Sequence, residues 1–263
     1  MVALVTGASK GIGKGIAIAL AKKGYSVVVT GRDEGRLKDL KAEVANFGGL
    51  LEYAVCDHSD LEKTVSTFQS IGKRGFDVIV NNAWGGYERM VEDSVYTWEN
   101  KFWDQPLHRW TSMMDVCVRT AFIASKFCVS NMLRTKSGTI INISFWAARH
   151  YMQNVLYGVS KAAMDKLSQD MAWELKEYNV AVVSLYPGLV RTEAVLANAE
   201  YFDMSNSESP EFSGLVIDRF VADPNRLTDS GRFLTTAELG LRYGMPDIDG
   251  KVILDKNREE SNP

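Results

Sequence analysis

The apolar run Val2–Thr6 leads straight into Gly7-Ala8-Ser9-Lys10-Gly11-Ile12-Gly13, and an amphipathic helical pattern follows over Ile12–Lys23. Glycines so placed between a strand and a helix leave few folds open. Glycine alone enters left-handed backbone freely and lets the main chain come close to a bound group. A strand that turns this sharply into a helix also aims the unpaired N–H groups of the helix start at whatever lies above the turn. Such a turn receives the pyrophosphate of a dinucleotide at the edge of a parallel sheet. Gly7, Ser9, Lys10, Gly11, Ile12 and Gly13 are therefore candidate cofactor contacts. Their Gly-x-x-x-Gly-x-Gly spacing departs from the Gly-x-Gly-x-x-Gly fingerprint.

The rest of the chain repeats the strand-then-helix rhythm. Strands are predicted at Val2–Thr6, Ser26–Thr30, Leu50–Cys56, Val78–Asn81, Thr139–Ile143, Ala181–Tyr186 and Arg232–Thr235. Helices are predicted near Ile12–Lys23, Asp33–Asn46, Ser59–Ile71, Leu107–Leu133, Val155–Tyr178 and Pro210–Ala222. Short β-branched runs alternating with amphipathic helices predict an α/β fold, a parallel sheet covered on both faces. Right-handed crossovers then give a doubly wound, Rossmann-type sheet of seven strands in the order 3-2-1-4-5-6-7. Residues 1–263 read as one domain, with no internal repeat or linker.

Two connections are long for such a fold. Residues 84–106 hold Trp84, Tyr87, Tyr96, Trp98, Phe102 and Trp103, and residues 189–209 are polar and end in Ser205-Asn206-Ser207-Glu208-Ser209-Pro210. Both follow strand carboxyl ends, where these sheets bind ligands, so both are candidate lids; 189–209 is the expected substrate loop. The aromatics of 84–106 are equally suited to an accessory core that pins the loop. Residues 237–263 form a C-terminal extension in which Asp247-Ile248-Asp249-Gly250-Lys251 signals a turn before a possible short strand.

Composition closes off other classes. A net charge of −3 gives no general reason to expect nucleic acid or an anionic membrane as partner. Cys56, Cys117 and Cys128 are odd in number and lack metal-ligand spacing, as do His58, His108 and His150, so no metal is expected. No basic-then-apolar leader precedes the first strand and no apolar run approaches membrane-spanning length. The expectation is a soluble cytoplasmic protein with free thiols. Asn142-Ile143-Ser144 fits a glycosylation pattern but falls in a predicted buried strand. A GxSxG nucleophile elbow is missing, which argues against a hydrolase.

Tyr157 and Lys161 stand four residues apart in a predicted helix, and therefore on one face of it. An ammonium close to a phenol favours the phenolate and lowers a pKa that is ordinarily about 10. A phenol tuned in this way is a general acid or base, and Ser144, after a predicted strand, offers a hydroxyl to a carbonyl oxygen. Taken singly these are common surface and cap patterns. Their order downstream of the glycine turn makes them candidate catalytic residues for a carbonyl–alcohol pair.

Thr6-Gly7-x-x-x-Gly11-x-Gly13, Asn81-Asn82-Ala83, Ser144, Tyr157-x-x-x-Lys161 and Pro187-Gly188 together resemble the short-chain dehydrogenase/reductase family, from Met1 to about Thr236. The resemblance implies hydride transfer between a nicotinamide cofactor and a carbonyl carbon. It implies that Tyr157 protonates the developing alkoxide, that Ser144 orients that oxygen, and that Lys161 lowers the tyrosine pKa and binds the nicotinamide ribose. Asp57 matches the position that contacts adenine; Asn81, Asn82 and Ala83 line the adenosine side; Pro187, Gly188 and Thr192 match positions near the nicotinamide. Asp57 is alternatively a helix-start acid, Asn81 a strand-end hydrogen bond that steadies the sheet, and Thr192 a turn residue. The family usually has Gly after Asn-Asn-Ala, where this chain has Trp84, and Asn where it has Cys117. Cysteine is a poor hydrogen-bond partner, so a relay from lysine to solvent needs another route.

At the end of the second strand stands Gly31, with no carboxylate to repel a 2′-phosphate, and Arg32 follows with a fork suited to one. Asp33 reads as a helix N-cap. NADP(H) is favoured, with NAD(H) possible. The expected activity is an NADPH-dependent carbonyl reductase acting on lipophilic ketones or aldehydes; the alternative is a dinucleotide-binding regulatory or scaffold protein. Phe122, Phe127, Met132, Met164, Leu167 and Met171 give the helices Leu107–Leu133 and Val155–Tyr178 an apolar surplus, which predicts a homodimer or homotetramer.

Overall fold

The computed structural model describes residues 1–255. Its sheet strands are β1 (Val2–Val5), β2 (Ser26–Gly31), β3 (Leu50–Val55), β4 (Val78–Asn81), β5 (Gly138–Ile143), β6 (Val180–Tyr186) and β7 (Phe233–Thr235). All neighbours pair in parallel, in the order 3-2-1-4-5-6-7. Successive residues of a strand face opposite sides. Val27 and Val29 therefore join one core with Val5, Val183 and Leu185, and Val28 joins the other with Leu4, Ile79 and Ile140. Apolar runs without alternation are the direct result of burial on both faces.

The first core is closed by α1 (Gly11–Lys22), α2 (Glu34–Ala45) and a later helix over Pro210–Ala222, which supplies Phe212, Val216, Ile217 and Phe220. On the opposite face lie α3 (Leu61–Ile71), α4 and α5 (Val155–Leu175). Here α4 denotes a continuous helical passage: His108–Trp110, a π-helical stretch Thr111–Arg119, then Thr120–Cys128 and Ser130–Thr135. Two shorter helices are α6 (Glu193–Leu196) and α8 (Thr236–Arg242), with Pro210–Ala222 as α7. Asp33 caps α2 as the sequence suggested, accepting from Arg36 N, and the structure adds a cap at Asn154, which accepts from Tyr157 N at 3.1 Å.

Residues 84–106 are held by their own structure. A small hairpin pairs Val91–Glu92 with Val95–Tyr96, and the Gln105 amide donates to the carbonyls of Thr97, Trp98 and Asn100. Trp98 is buried, and the Asn154 amide donates to its carbonyl at 2.9 Å, tying the segment to the start of α5. Phe102 and Trp103 remain exposed. The segment is thus partly an accessory core and partly a surface.

Residues 189–209 are anchored differently. Val190 bridges to Glu208, and the Arg191 guanidinium donates to the Ser207 carbonyl and to Asp247 and Asp249. Asp247 is buried and also accepts from Ser209 N. Its neighbourhood is a turn closed by Gly250 N on the Asp247 carbonyl, with no strand after it up to residue 255. The remainder of the expected extension, 256–263, lies outside the described residues.

One expectation is corrected. Met132 and Met164 are fully buried, packed inward against β5 and around Cys117, and Phe127, Leu167 and Met171 are only partly exposed. Of the six apolar residues assigned to an outer face of α4 and α5, only Phe122 is open to solvent. A helix one layer from the sheet needs more than one apolar stripe when a second helix packs beside it, and spacing alone does not separate those stripes.

Candidate active site

The carboxyl ends of β1, β2, β4, β5 and β6 bring most of the candidate residues to one edge of the sheet. Gly7 takes a φ of +67° and Gly11 a φ of +58°, both in the left-handed region. A Cβ on Gly7 would lie 2.7 Å from the Cα of Ala83, and one on Gly13 only 2.6 Å from the Gly7 carbonyl oxygen. The glycine turn is therefore folded tightly on itself and on the end of β4. Asn82 locks that contact: its amide donates to the Thr6 carbonyl at 3.0 Å and the Gly7 carbonyl at 3.1 Å. Thr6 Oγ1 in turn accepts from Asn82 N and Ala83 N, each at 3.0 Å.

The resemblance puts Asn82 on the adenosine side together with Asn81 and Ala83, and the structure separates the two asparagines. The Asn81 side chain points into the sheet, donating to Ser125 Oγ at 3.0 Å and to Asn142 Oδ1 at 2.8 Å. Asn142 continues to Ser168 Oγ at 2.8 Å, and Ser168 meets Ser184 at 2.8 Å. Asn81 thus begins a buried polar ladder across β4, β5, α5 and β6, the sheet-steadying alternative. Ala83 stands against Gly7 at the edge.

The α1 N-terminus has no side-chain cap of its own and no acidic residue in its first turn. Its Gly11 N–H donates instead to the Glu193 carboxylate, at 3.0 and 3.4 Å to the two oxygens. Thr192 caps the same short α6 through Val195 N, and its methyl group would touch a Cβ on Gly11 at 3.4 Å. Ser9 lies against Gly31, while Lys10 is exposed and Ile12 packs on the core below. Arg32 is exposed and forms an ion pair with Glu88 from the 84–106 segment. Asp57 accepts from the Ser59 backbone and hydroxyl at 3.0 and 2.8 Å. Burial opposes ionisation of this carboxyl, but the Ser59 hydrogen bonds outweigh it and hold Asp57 below the usual range. Its neighbour His58 is buried on Thr30 Oγ1 and pushed down to about 4 by burial, so it is a neutral structural group.

Tyr157, Lys161 and Ser144 are all buried at this edge. No hydrogen bond joins their three side chains in this state. Ser144 Oγ donates to the Lys161 carbonyl at 3.2 Å, and Lys161 Nζ donates to the Ile143 carbonyl at 3.3 Å. The ammonium also lies 4.3 Å from the centre of the Trp84 ring, a cation–π contact. The Tyr157 hydroxyl accepts from the Tyr87 hydroxyl at 3.2 Å. Trp84, Tyr87, Trp98 and Phe145 surround the Tyr157 ring at centroid distances of 5.4 to 6.2 Å.

The phenol is correspondingly not lowered in this state. Burial, and then Tyr87, push Tyr157 well above its ordinary value, and burial pulls Lys161 down. The expected depression needs a solvated or polar lining that the aromatic wall does not supply. Cys117 sits in the π-helical stretch of α4, with its thiol pushed up by burial and opposed by the nearby Lys161 charge. Asp115 and Arg119 do not replace the usual Asn: Arg119 turns away to the His58 and Ser59 carbonyls and pairs with Asp115 at 3.4 Å.

Past β6, Pro187 is buried and Gly188 N donates to Glu208 Oε1 at 2.6 Å. Glu208 is fully enclosed, receives Thr236 Oγ1 at 3.1 Å, and is pushed up to about 8 by burial. It fastens the Pro187-Gly188 turn to β7 and α8. Neither Glu193 nor Glu208 stands out by sequence pattern, because each acts across a loop with no periodicity.

The residues fit a dinucleotide. A cradle that any Cβ would fill faces an uncapped helix N-terminus, and a carboxylate already stands at its N–H. Among the described residues no cluster of His, Cys, Asp or Glu could hold a metal, and no helix is long and apolar enough to cross a membrane.

Comparison with known proteins agrees with this geometry. The short chain dehydrogenase family pattern matches residues 1–200. Dehydrogenase/reductase SDR family member 1 of Mus musculus is 37% identical over 270 residues, spanning 97% of this chain and 85% of that protein. A Beutenbergia cavernae protein solved with bound NADP at low occupancy superposes with a TM-score of 0.76 at 27% identity, covering 92% of this chain and 96% of that one. A 7α-hydroxysteroid dehydrogenase complexed with NADH and 7-oxo glycochenodeoxycholic acid gives 0.74 at 28% identity, over 89% and 94%. With its doubly wound sheet, its glycine cradle and a family match across most of its length, the chain belongs to the short-chain dehydrogenase/reductase family of oxidoreductases.

Proposed function

We propose that this protein is an NADPH-dependent carbonyl reductase, in reverse an alcohol dehydrogenase, for lipophilic ketones or aldehydes of steroid or xenobiotic type. The observation that carries the reading is the Tyr157–Lys161 pair on α5 beside Ser144, buried under Trp84, Tyr87, Trp98 and Phe145. An apolar wall of this kind favours a hydrophobic substrate over a sugar or an acid. The steroid-type ligand of the 7α-hydroxysteroid dehydrogenase supports the same class.

Gly7, Ser9, Lys10, Gly11, Ile12 and Gly13 hold the cofactor pyrophosphate, Arg32 the 2′-phosphate, and Asp57, Asn82 and Ala83 form the adenosine side, which Asn81 supports from within the sheet. Pro187, Gly188 and Thr192 lie towards the nicotinamide. The nicotinamide, when bound, supplies or accepts the hydride. Tyr157 gives its phenolic proton to the substrate oxygen, Ser144 orients that oxygen, and Lys161 places a positive charge that eases loss of the proton. For that to happen Tyr87 must leave the Tyr157 hydroxyl, so the 84–106 segment opens as substrate enters. The 189–209 loop forms the other wall of the mouth.

The test is NADPH consumption across a panel of ketones and aldehydes graded in hydrophobicity. Turnover that rises with apolar bulk supports the proposal; none on any member favours a second reading, a dinucleotide-binding regulatory protein. Cys117 in the usual Asn position is the observation behind that alternative. Arg32→Ala weakens NADPH by about 1.5–3 kcal/mol, the worth of hydrogen bonds to a charged group, and leaves NADH nearly unchanged. Equal losses for both, in a binding titration, remove Arg32 from 2′-phosphate recognition.

The three buried free cysteines suit a reducing compartment such as the cytoplasm. A homodimer through α4 and α5 is proposed on a narrower patch than first expected, centred on Phe122, Val155, Val159 and Trp173, all exposed. A mass of about twice the 29.3 kDa chain by light scattering is the expected result, and a mass of one chain at micromolar concentration excludes the dimer.

A further inference from the structure

We propose that the carboxylates of Glu193 and Glu88 are internal competitors that hold the two anion seats of the cofactor, Glu193 at Gly11 and Glu88 at Arg32, with only Glu88 bearing on the choice between NADPH and NADH. The inference rests on the dinucleotide reading above and assigns two residues to it that no motif contains.

Glu193 begins α6, yet its carboxylate reaches the start of a different helix and takes the Gly11 N–H at 3.0 Å. An acid in a first turn is ordinarily stabilised by the N–H groups of its own helix. Here it serves α1, which has neither a side-chain cap nor an acidic first turn. A helix start left uncapped by its own sequence is completed by an external anion, and in this state the anion is Glu193.

Glu88 repeats the pattern at the other seat. Arg32 acts at a distance on the Asp57 carboxylate after β3, but its ion pair comes from the 84–106 segment, across 56 residues of chain. Both side chains are substantially exposed, so the pair is weak and screened, and a phosphate dianion with bidentate geometry outcompetes it. Two further contacts come from the same short stretch. Trp84 lies over the Lys161 ammonium and Tyr87 occupies the Tyr157 hydroxyl. Residues 84–88 therefore fill, from within the chain, the places that the proposed reading gives to the 2′-phosphate, the ribose and the substrate oxygen.

A ligand that must displace an internal group binds with its intrinsic affinity reduced by the fraction of molecules already open. Removing the internal carboxylate raises that fraction. Glu193 competes with a group common to both cofactors, while Glu88 competes only with the 2′-phosphate, so the two residues separate by cofactor.

The experiment titrates NADPH and NADH into the full chain, wild type and variants, by cofactor fluorescence and calorimetry. Glu193→Gln tightens both cofactors by ~2–5-fold, the scale of an exposed charged contact. Glu88→Gln tightens NADPH by a similar factor and leaves NADH within about twofold. Glu193→Ala and Glu88→Ala act in the same direction, which guards against a glutamine that keeps the hydrogen bond. Unchanged or weaker binding in the variants, beside a wild type that binds, overturns this inference and leaves the dinucleotide reading standing. Binding seen only after both carboxylates are removed supports it. A chain that takes up neither cofactor in any variant overturns the dinucleotide reading, and this inference with it.

Discussion

Tyr157→Phe lowers turnover by at least ~10²-fold, the scale of general acid–base catalysis, and leaves cofactor affinity close to wild type. The substitution removes one oxygen and keeps the ring that packs between Trp84, Trp98 and Phe145, so the fold is retained. The side-chain hydrogen bond lost at the hydroxyl is the one from Tyr87, an exposed residue whose own hydroxyl turns to water. Single-turnover kinetics with saturating NADPH separate the chemical step from binding. A variant as fast as wild type would falsify proton delivery by Tyr157. A variant that loses cofactor affinity in proportion would make the phenol a binding group.

Gly7→Ala costs ~2–5 kcal/mol of stability, combining left-handed backbone strain with overpacking. The position has a φ of +67°, and the new methyl would stand 2.7 Å from the Cα of Ala83 and 3.2 Å from its nitrogen, both backbone atoms that cannot rotate away. The glycine turn or the end of β4 must move, and either movement breaks the Asn82 and Thr6 hydrogen bonds that hold them together. Cofactor binding is lost with the cradle. Gly24→Ala is the control, with a φ of +85° and nothing within 4 Å of the added carbon, so it carries strain alone. Denaturant unfolding of the two variants side by side measures the part due to close approach. Equal losses would mean that the contact with Ala83 is not limiting.

The sheet was legible from the sequence because both of its faces are buried. Val27, Val28 and Val29 serve two different cores, and a run that must satisfy both reads as an unbroken apolar segment. Asp33 was legible as a cap because the N-cap preference is local. Other features depend on directions that spacing does not carry. Asn81 and Asn82 are adjacent at the end of a strand and point oppositely, one into the sheet and one onto the glycine turn. Tyr157 and Lys161 do share a helix, yet the ammonium reaches Ile143 and Trp84 rather than the phenol, and burial dominates the titration of both. Glu193 meets Gly11 across 182 residues, from a four-residue helix inside an irregular loop. No periodic pattern points to such a pair.

Asp247 gives the order of assembly a direction. Its carboxylate is the buried partner of Arg191 and Ser209, at the two ends of the 189–209 loop, and it lies beyond the last strand of the sheet. During synthesis it emerges after all seven strands and their helices have been made. Until then Arg191 lacks its ion-pair partners Asp247 and Asp249, and the segment that carries Thr192 and Glu193 to the glycine turn is not yet fastened at its base. The scaffold therefore has the opportunity to form first, with the anchor that fixes the 189–209 loop at its edge arriving last in the vectorial sequence.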